Sequence, residues 1–171
     1  MKTVLLAGLS AVAIVSLTAF ARVVPATHRN HAFTAQLTGD ASAEFFGDAT
    51  FARVEGGIGA PTVFTLDLGQ ESAGGAILFT RTSGSRLSLG TYTISDRGDG
   101  SDDLQALVML GRTERPTGVF RAQSGTLTIT SASDTVLTGS FTLAATGFMA
   151  SAPAAEDRQV SASGSFRARG R

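Results

Sequence analysis

The chain has 171 residues, no cysteine and a formal net charge of zero. Without thiols it can build neither disulfides nor thiolate nucleophiles nor Cys-based metal sites, and lipid attachment through a lipoprotein cysteine is excluded. Its balanced charge offers no basic face for the phosphate contacts on which nucleic-acid binding depends.

Lys2 supplies a short positive segment, and no charged side chain follows from Thr3 to Ala21. Val4, Leu5, Leu6, Leu9, Val12, Ile14, Val15, Leu17 and Phe20 dominate that run. Two small-x-small sites come next, Ala19-Phe20-Ala21 and Val24-Pro25-Ala26. The layout predicts a secretory signal peptide over residues 1–26, cleaved after Ala26, with Ala21 as the alternative. An uncleaved membrane anchor is the competing reading, since the run approaches the roughly 20 residues a span needs. However, Gly8, Ser10, Ser16 and Thr18 dilute it, and no basic cluster stops it.

Cleavage leaves 171 − 26 = 145 residues, a single domain over 27–171. At that size about 70% of the unfolded surface can be buried, so no covalent staple is required. Losing Lys2 and Arg22 leaves 12 Arg against 14 acids, a net of about −2, with no Lys at all. The expected location is the periplasm or the cell exterior, with no stable membrane anchor once the signal is removed.

From there on the chain alternates with a period of two, the signature of half-buried strands. Phe33, Ala35 and Leu37 alternate with Thr34, Gln36 and Thr38. Phe45, Gly47, Ala49 and Phe51 share one face, opposite Glu44, Asp48 and Thr50. Phe64, Leu66 and Leu68 alternate with Thr65 and Asp67, and Ala76 to Thr80 reads as a more buried strand. Tyr92 and Ile94 form a short strand after the turn at Gly90.

Asp102 to Gly111 fits two descriptions. As a short helix it would have Ser101 as N-cap, acids in its first turn and Gly111 after its end. As a strand it is apolar on both faces, so it must be covered on both or face a cavity on one. Its neighbours are all strands, which favours the strand. Beyond it, Leu127 and Ile129 oppose Thr126, Thr128 and Thr130. After the polar turn Ser131–Asp134, Leu137, Gly139, Phe141, Leu143 and Ala145 form the inward set of a second strand. Val160, Ala162, Gly164 and Phe166 close the series. About eight to ten strands at this spacing predict an all-β, antiparallel sandwich or flattened barrel.

Gly-x-Phe recurs at Gly118-Val119-Phe120, Gly139-Ser140-Phe141 and Gly164-Ser165-Phe166. Each puts a small residue beside a large one on the inner face, as a tightly curved sheet requires. The stretch GTLTITSASDTVLTGSFTLAATG followed by VSASGSFRAR, together with Gly90 to Ile94, resembles uncharacterised exported β-rich bacterial proteins, many carrying lipoprotein signals. Their shared pattern is a G-T-L-x-I-T strand, a polar turn and closing G-x-F strands. The lipid-acceptor cysteine of those proteins is missing here. The resemblance implies export and a β fold but no activity.

Chemistry concentrates at one place. Asp96, Asp99, Asp102 and Asp103 lie within eight residues on a Gly-containing segment and are candidate oxygen ligands for calcium. Their spacing fails the EF-hand pattern, and a solvated turn accounts for them as well. Arg97-Gly98-Asp99 spells an integrin-type tripeptide at near-chance specificity. His28 and His31 are the only histidines and fall beside the cleavage site, where an extended terminus gives no ligand geometry. No Gly-x-Ser-x-Gly elbow exists, and no Ser has a nearby His or Lys to activate it. Glu44, Asp48, Asp67, Glu71 and Glu114 are scattered acids that a glycoside hydrolase would have to bring together. No Trp is present and Tyr92 stands alone, which removes the usual sugar-stacking platforms.

Arg167, Arg169 and Arg171 alternate and could meet anionic lipid heads or acidic glycans on one strand face, but read first as a solvated tail that keeps the last strand from pairing edge to edge. A membrane-spanning barrel fits the length, but its girdles want Trp and Tyr, and the outward faces are rich in Thr and Ser. These readings point first to a non-catalytic binding or envelope-associated module without a cofactor, meeting its partner through Thr/Ser-covered faces and turns. That partner would be a protein, a glycan or a small apolar ligand. A carrier with an apolar barrel cavity is the alternative, and a weakly active hydrolase using paired carboxylates the third.

Overall fold

The computed structural model describes residues 32–55, 61–69, 74–96, 103–112, 115–151 and 157–171. The N-terminal apolar run, both cleavage sites, His28 and His31 lie outside them. Ten strands follow in chain order. They are β1 (Phe33–Gly39), β2 (Ala43–Gly47), β3 (Ala49–Val54), β4 (Val63–Leu68), β5 (Gly75–Arg81), β6 (Gly90–Ser95), β7 (Gln105–Arg112), β8 (Arg115–Ala132), β9 (Val136–Met149) and β10 (Arg158–Gly170). The all-β expectation holds, and alternation along the chain is its cause.

The strands lie in the order β2-β1-β10-β3-β4-β5-β7-β8-β6, with β9 pairing both β10 and β8. The path β10-β3-β4-β5-β7-β8-β9 therefore returns on itself as a ring. Its pairings are antiparallel except β10 with β3, which is parallel at Arg169↔Thr50 and Gly170↔Phe51. The long strands make this possible by serving two partners each. β8 pairs β7 through Arg115–Arg121 and β6 through Ser124–Ile129. Register shifts between Ala122 and Ser124 and between Ile129 and Ser131 mark where β8 bends against β9. β10 pairs β1 through Val160–Phe166 before passing to β3.

The inward residues of all ten strands meet in one core. Phe33, Phe45, Phe64, Phe79 and Phe120 are its largest fully buried side chains. Phe79 meets Phe141 edge-on at 5.3 Å, and Phe51 stacks on Phe64 at 6.2 Å. The Gly-x-Phe grammar acquires a second meaning in the register. Gly139 lies opposite Phe166, Gly164 opposite Phe141 and Gly147 opposite Phe120. A Cβ on Gly139 would stand 3.0 Å from Phe166 Cζ and collide with the Thr128 carbonyl. Gly139 thus vacates the space that the Phe166 ring fills, whereas a Cβ on Gly147 or Gly164 would collide with the backbone of the adjoining strand, at Val119 and Thr34 respectively.

Three local readings change. Glu44 to Phe51 reads as one alternating stretch, but the chain leaves β1 at Asp48 and enters the sheet again as β3 beside β4. The inward phase survives the break, since Phe45, Ala49 and Phe51 are all buried. The region from Arg115 to Ser124 carries no clean alternation in sequence, yet it is the first half of β8. Finally, the C-terminal arginines are not a solvated tail. Arg169 and Gly170 pair with β3, and the Arg171 amide donates to the Phe51 carbonyl at 3.0 Å. The alternation of Arg167, Arg169 and Arg171 continues the strand, and its side chains point outward while its backbone closes the ring.

Residues 105–112 form the strand β7, as their neighbours suggested. Leu104, Ala106, Val108 and Leu110 are buried in the core. On the opposite face Leu107 lies between Leu78 and Arg121, and Met109 between Ala76 and Val119. Leu107 and Met109 are half-buried there, flanked along the row by the half-buried Leu78 and Val119, the buried Ala76 and the exposed Arg121.

Candidate functional site

Away from the core, β1, β10, β9, β8 and β6 turn a common face outward. The register aligns Gln36, Ser163, Thr142, Thr126 and Thr93 in one row. A second row holds Thr34, Ser165, Ser140, Thr128 and Thr91. Cross-strand hydroxyls meet at 3.2 Å for Thr91 with Thr128 and 3.3 Å for Thr126 with Thr142. β-Branched threonine suits this position because its branched side chain packs on the pleat while its hydroxyl stays wet. The rows are polar yet uncharged.

One part of this face is hollow. A depression of about 390 Å³ is lined by Gln36, Thr38, Ser124, Thr142, Ala144, Ser161 and Ser163 together with backbone of β8–β10. A second, of about 650 Å³, adjoins it through Ala144 and Ser161 and reaches Asp40, Gln123, Thr146, Asp157 and Gln159. Together they form an open groove along β9 and β10. Its floor is low because Ala144 interrupts the outward series Thr138, Ser140, Thr142, Thr146, and pairs with Ser161 on one side and Ser124 on the other. The bulge before Ser124 bends β8 away at the same level. At the end of the groove, Asp40 Oδ2 accepts a 2.8 Å hydrogen bond from the Gln159 amide, which fixes the turn after β1 against β10.

Of the residues singled out from sequence, only some fall among those the structure describes. Asp96 and Asp103 are described, while Asp99 and Asp102 lie outside the described residues, as does Arg97-Gly98. The Ser95 hydroxyl donates to Asp103 at 3.0 Å, and Arg121 donates to the Asp96 carbonyl. Among the described residues no group of three metal-ligating side chains occurs. Glu71 and Glu114 also fall outside. Glu44 stands opposite Gln36 on β2, and Asp67 lies between Thr50 and Leu78 on β4.

A second concavity, of about 500 Å³, surrounds the buried Arg81 at the end of β5. Its guanidinium sits 5.4 Å from the Tyr92 ring centroid, and its Nη1 donates to the Ser85 carbonyl at 3.5 Å. The Tyr92 hydroxyl accepts from the Ser88 amide at 2.7 Å and donates to the Ser88 carbonyl at 3.0 Å. These bonds tie the segment after β5 down onto β6. They brace a loop, and the lone tyrosine is engaged within it.

Asp67 on β4 is half-buried beside the C-terminus of β10. Burial raises its pKa, and Arg171, 4.0 Å away, only partly offsets this. A raised carboxyl favours the fold in its protonated form. Its contribution is fully present below the unfolded-state value and is lost as pH rises through the folded-state value. Asp67→Asn is therefore expected to equal or exceed the natural protein in melting temperature at pH 7. The difference should shrink on acidification, which melting curves from pH 3 to 8 would follow.

Compared with family models, with curated proteins and with solved structures, the chain matches none. The groove must be read from its own chemistry.

Proposed function

We propose that this protein is an exported, non-catalytic binding module that holds its partner along the groove of its Ser/Thr-covered face. The observation that carries this reading is the register itself. Five strands place uncharged hydroxyl and amide side chains in aligned rows, and the rows sink into one continuous depression over Ala144 and Ser161. Binding sites are concave surfaces with a few convergent polar groups, and this one adds a floor of small side chains.

The ring of strands is read as a flattened barrel, with the long β8–β9–β10 meander on one side and β3–β4–β5–β7 on the other. The N-terminal run is read as a signal peptide cleaved after Ala26, which puts the domain in the periplasm or outside the cell. Its resemblance to exported β-rich bacterial proteins supports that location. A carrier would hold its ligand in the interior, and the space there is occupied by Phe33, Phe64, Phe79, Phe120 and their neighbours. This packing favours the outer surface as the place of contact.

The test is a plug. Ala144 is exposed, so Ala144→Trp fills the groove without touching the core. Co-sedimentation with the cell-wall and membrane fractions of the native host should fall at least fivefold while the melting temperature stays within about 2 °C of the natural protein. Equal retention of the two proteins would remove the groove from the contact.

A further inference from the structure

We infer that the groove takes a neutral, hydroxyl-rich glycan chain, an inference that rests on the groove being the contact surface. Three observations lead to this class of ligand. The rim presents the side-chain amides of Gln36, Gln123 and Gln159, donors and acceptors of the kind that match adjacent sugar hydroxyls, with one Gln123 donor already given to the Arg121 carbonyl at 3.3 Å. The hydroxyls of Ser124, Thr142, Ser161 and Ser163 stand between them.

Charge narrows the choice. Among the described residues no arginine lines either hollow, while Asp40 and Asp157 both line the second. An acidic glycan, a polyphosphate or a phospholipid head would meet those carboxylates there. A neutral chain meets no such cost.

The backbone then separates glycan from peptide. β9 is paired along both sides, with β8 and with β10, so its amides and carbonyls are spent in the ladder. A peptide recognised by strand addition needs an open edge. A glycan needs only side-chain donors and acceptors, and the groove supplies those on a face. From Thr142 to Thr146 the trough runs four residues, about 14 Å, room for about three linked hexose rings. Among the described residues no aromatic ring lines the two hollows. Recognition therefore proceeds by hydrogen bonds over a small-residue floor, with modest affinity and selectivity for hydroxyl pattern.

The experiment is an amide-shift titration of the full mature protein. The probes are hexasaccharides of β-1,4-glucan, β-1,3-glucan, β-1,4-xylan and chitin, with hexagalacturonate as the anionic counterpart. At least one neutral hexasaccharide should give saturable shifts at Ala144, Gln159 and Ser161. The double variant Gln36→Ala/Gln159→Ala should weaken that binding about tenfold, equivalent to 1.4 kcal/mol, with the spectrum otherwise unchanged. Tighter binding of hexagalacturonate would overturn the inference. So would silence of all neutral probes at millimolar concentration while Ala144→Trp still abolishes envelope retention, an outcome that keeps the groove and rejects the neutral glycan. If Ala144→Trp leaves retention unchanged as well, the contact surface itself is wrong.

Discussion

Gly139→Val is expected to lower the melting temperature by about 10 °C, the response of a domain this size to roughly 3 kcal/mol of overpacking. The position is buried, and a Cβ there meets both the Thr128 carbonyl of β8 and the ring of Phe166 on β10. Two strands would have to move apart for one side chain. Trimming the opposing ring separates the two causes. Phe166→Leu alone should cost about 1–2 kcal/mol as a partial cavity. In combination with Gly139→Ala it should cost less than the sum of the single changes, because the smaller side chain gives the new methyl room. Part of the Gly139→Ala penalty should survive, since the Thr128 carbonyl is backbone and cannot be trimmed. Four thermal melts, for the natural protein, each single variant and the double, give the answer. Strict additivity would mean that the glycine and the ring do not share space.

Deleting Arg169 to Arg171 should be the other severe change. These residues supply the parallel contact with β3, the Gly170 amide bond to the Thr135 carbonyl and the Arg171 amide bond to Phe51. Their loss removes about three to four hydrogen bonds and uncovers the buried Phe51, a cost of about 3–5 kcal/mol. The damage should be local in its first appearance. Hydrogen exchange in β3 and β4 should accelerate more than in β7 and β8, whose pairing does not involve the tail. Uniform acceleration across all strands would show that the ring opens only by global unfolding.

Much of the fold was legible because a period of two leaves few choices. Leu127, Ile129, Phe141, Leu143, Val160 and Phe166 are inward in sequence and buried in the structure. What alternation cannot carry is partnership. Nothing in the residues from Arg167 to Arg171 announces a parallel contact with a strand some 120 positions earlier. The first half of β8 was hidden for another reason, since Arg115, Pro116 and Thr117 are all exposed and offer no inward signal. The Gly-x-Phe repeats announced small beside large, yet the decisive neighbour lies across the strand, where sequence order gives no guide.

The groove was nearly invisible. Acids and histidines attract attention as chemistry, whereas a groove arises where something is small. Ala144, set among outward threonines, was its one local sign, and its meaning depends on Ser161 and Ser124 standing beside it. Gln36, Gln123 and Gln159 come from three strands, and only the pairing of β1, β10, β9 and β8 gathers them.

The parallel seam between β10 and β3 also sets a clock. Thr50 waits for Arg169, so the ring cannot be completed until nearly all the intervening chain has been delivered. Contacts this distant in sequence form slowly, after the loop they close has been gathered. A nascent chain would therefore hold its earlier strands in an incomplete, still pliable sheet. Only when the final strand arrives does the structure lock, which couples completion of the chain to the onset of rigidity.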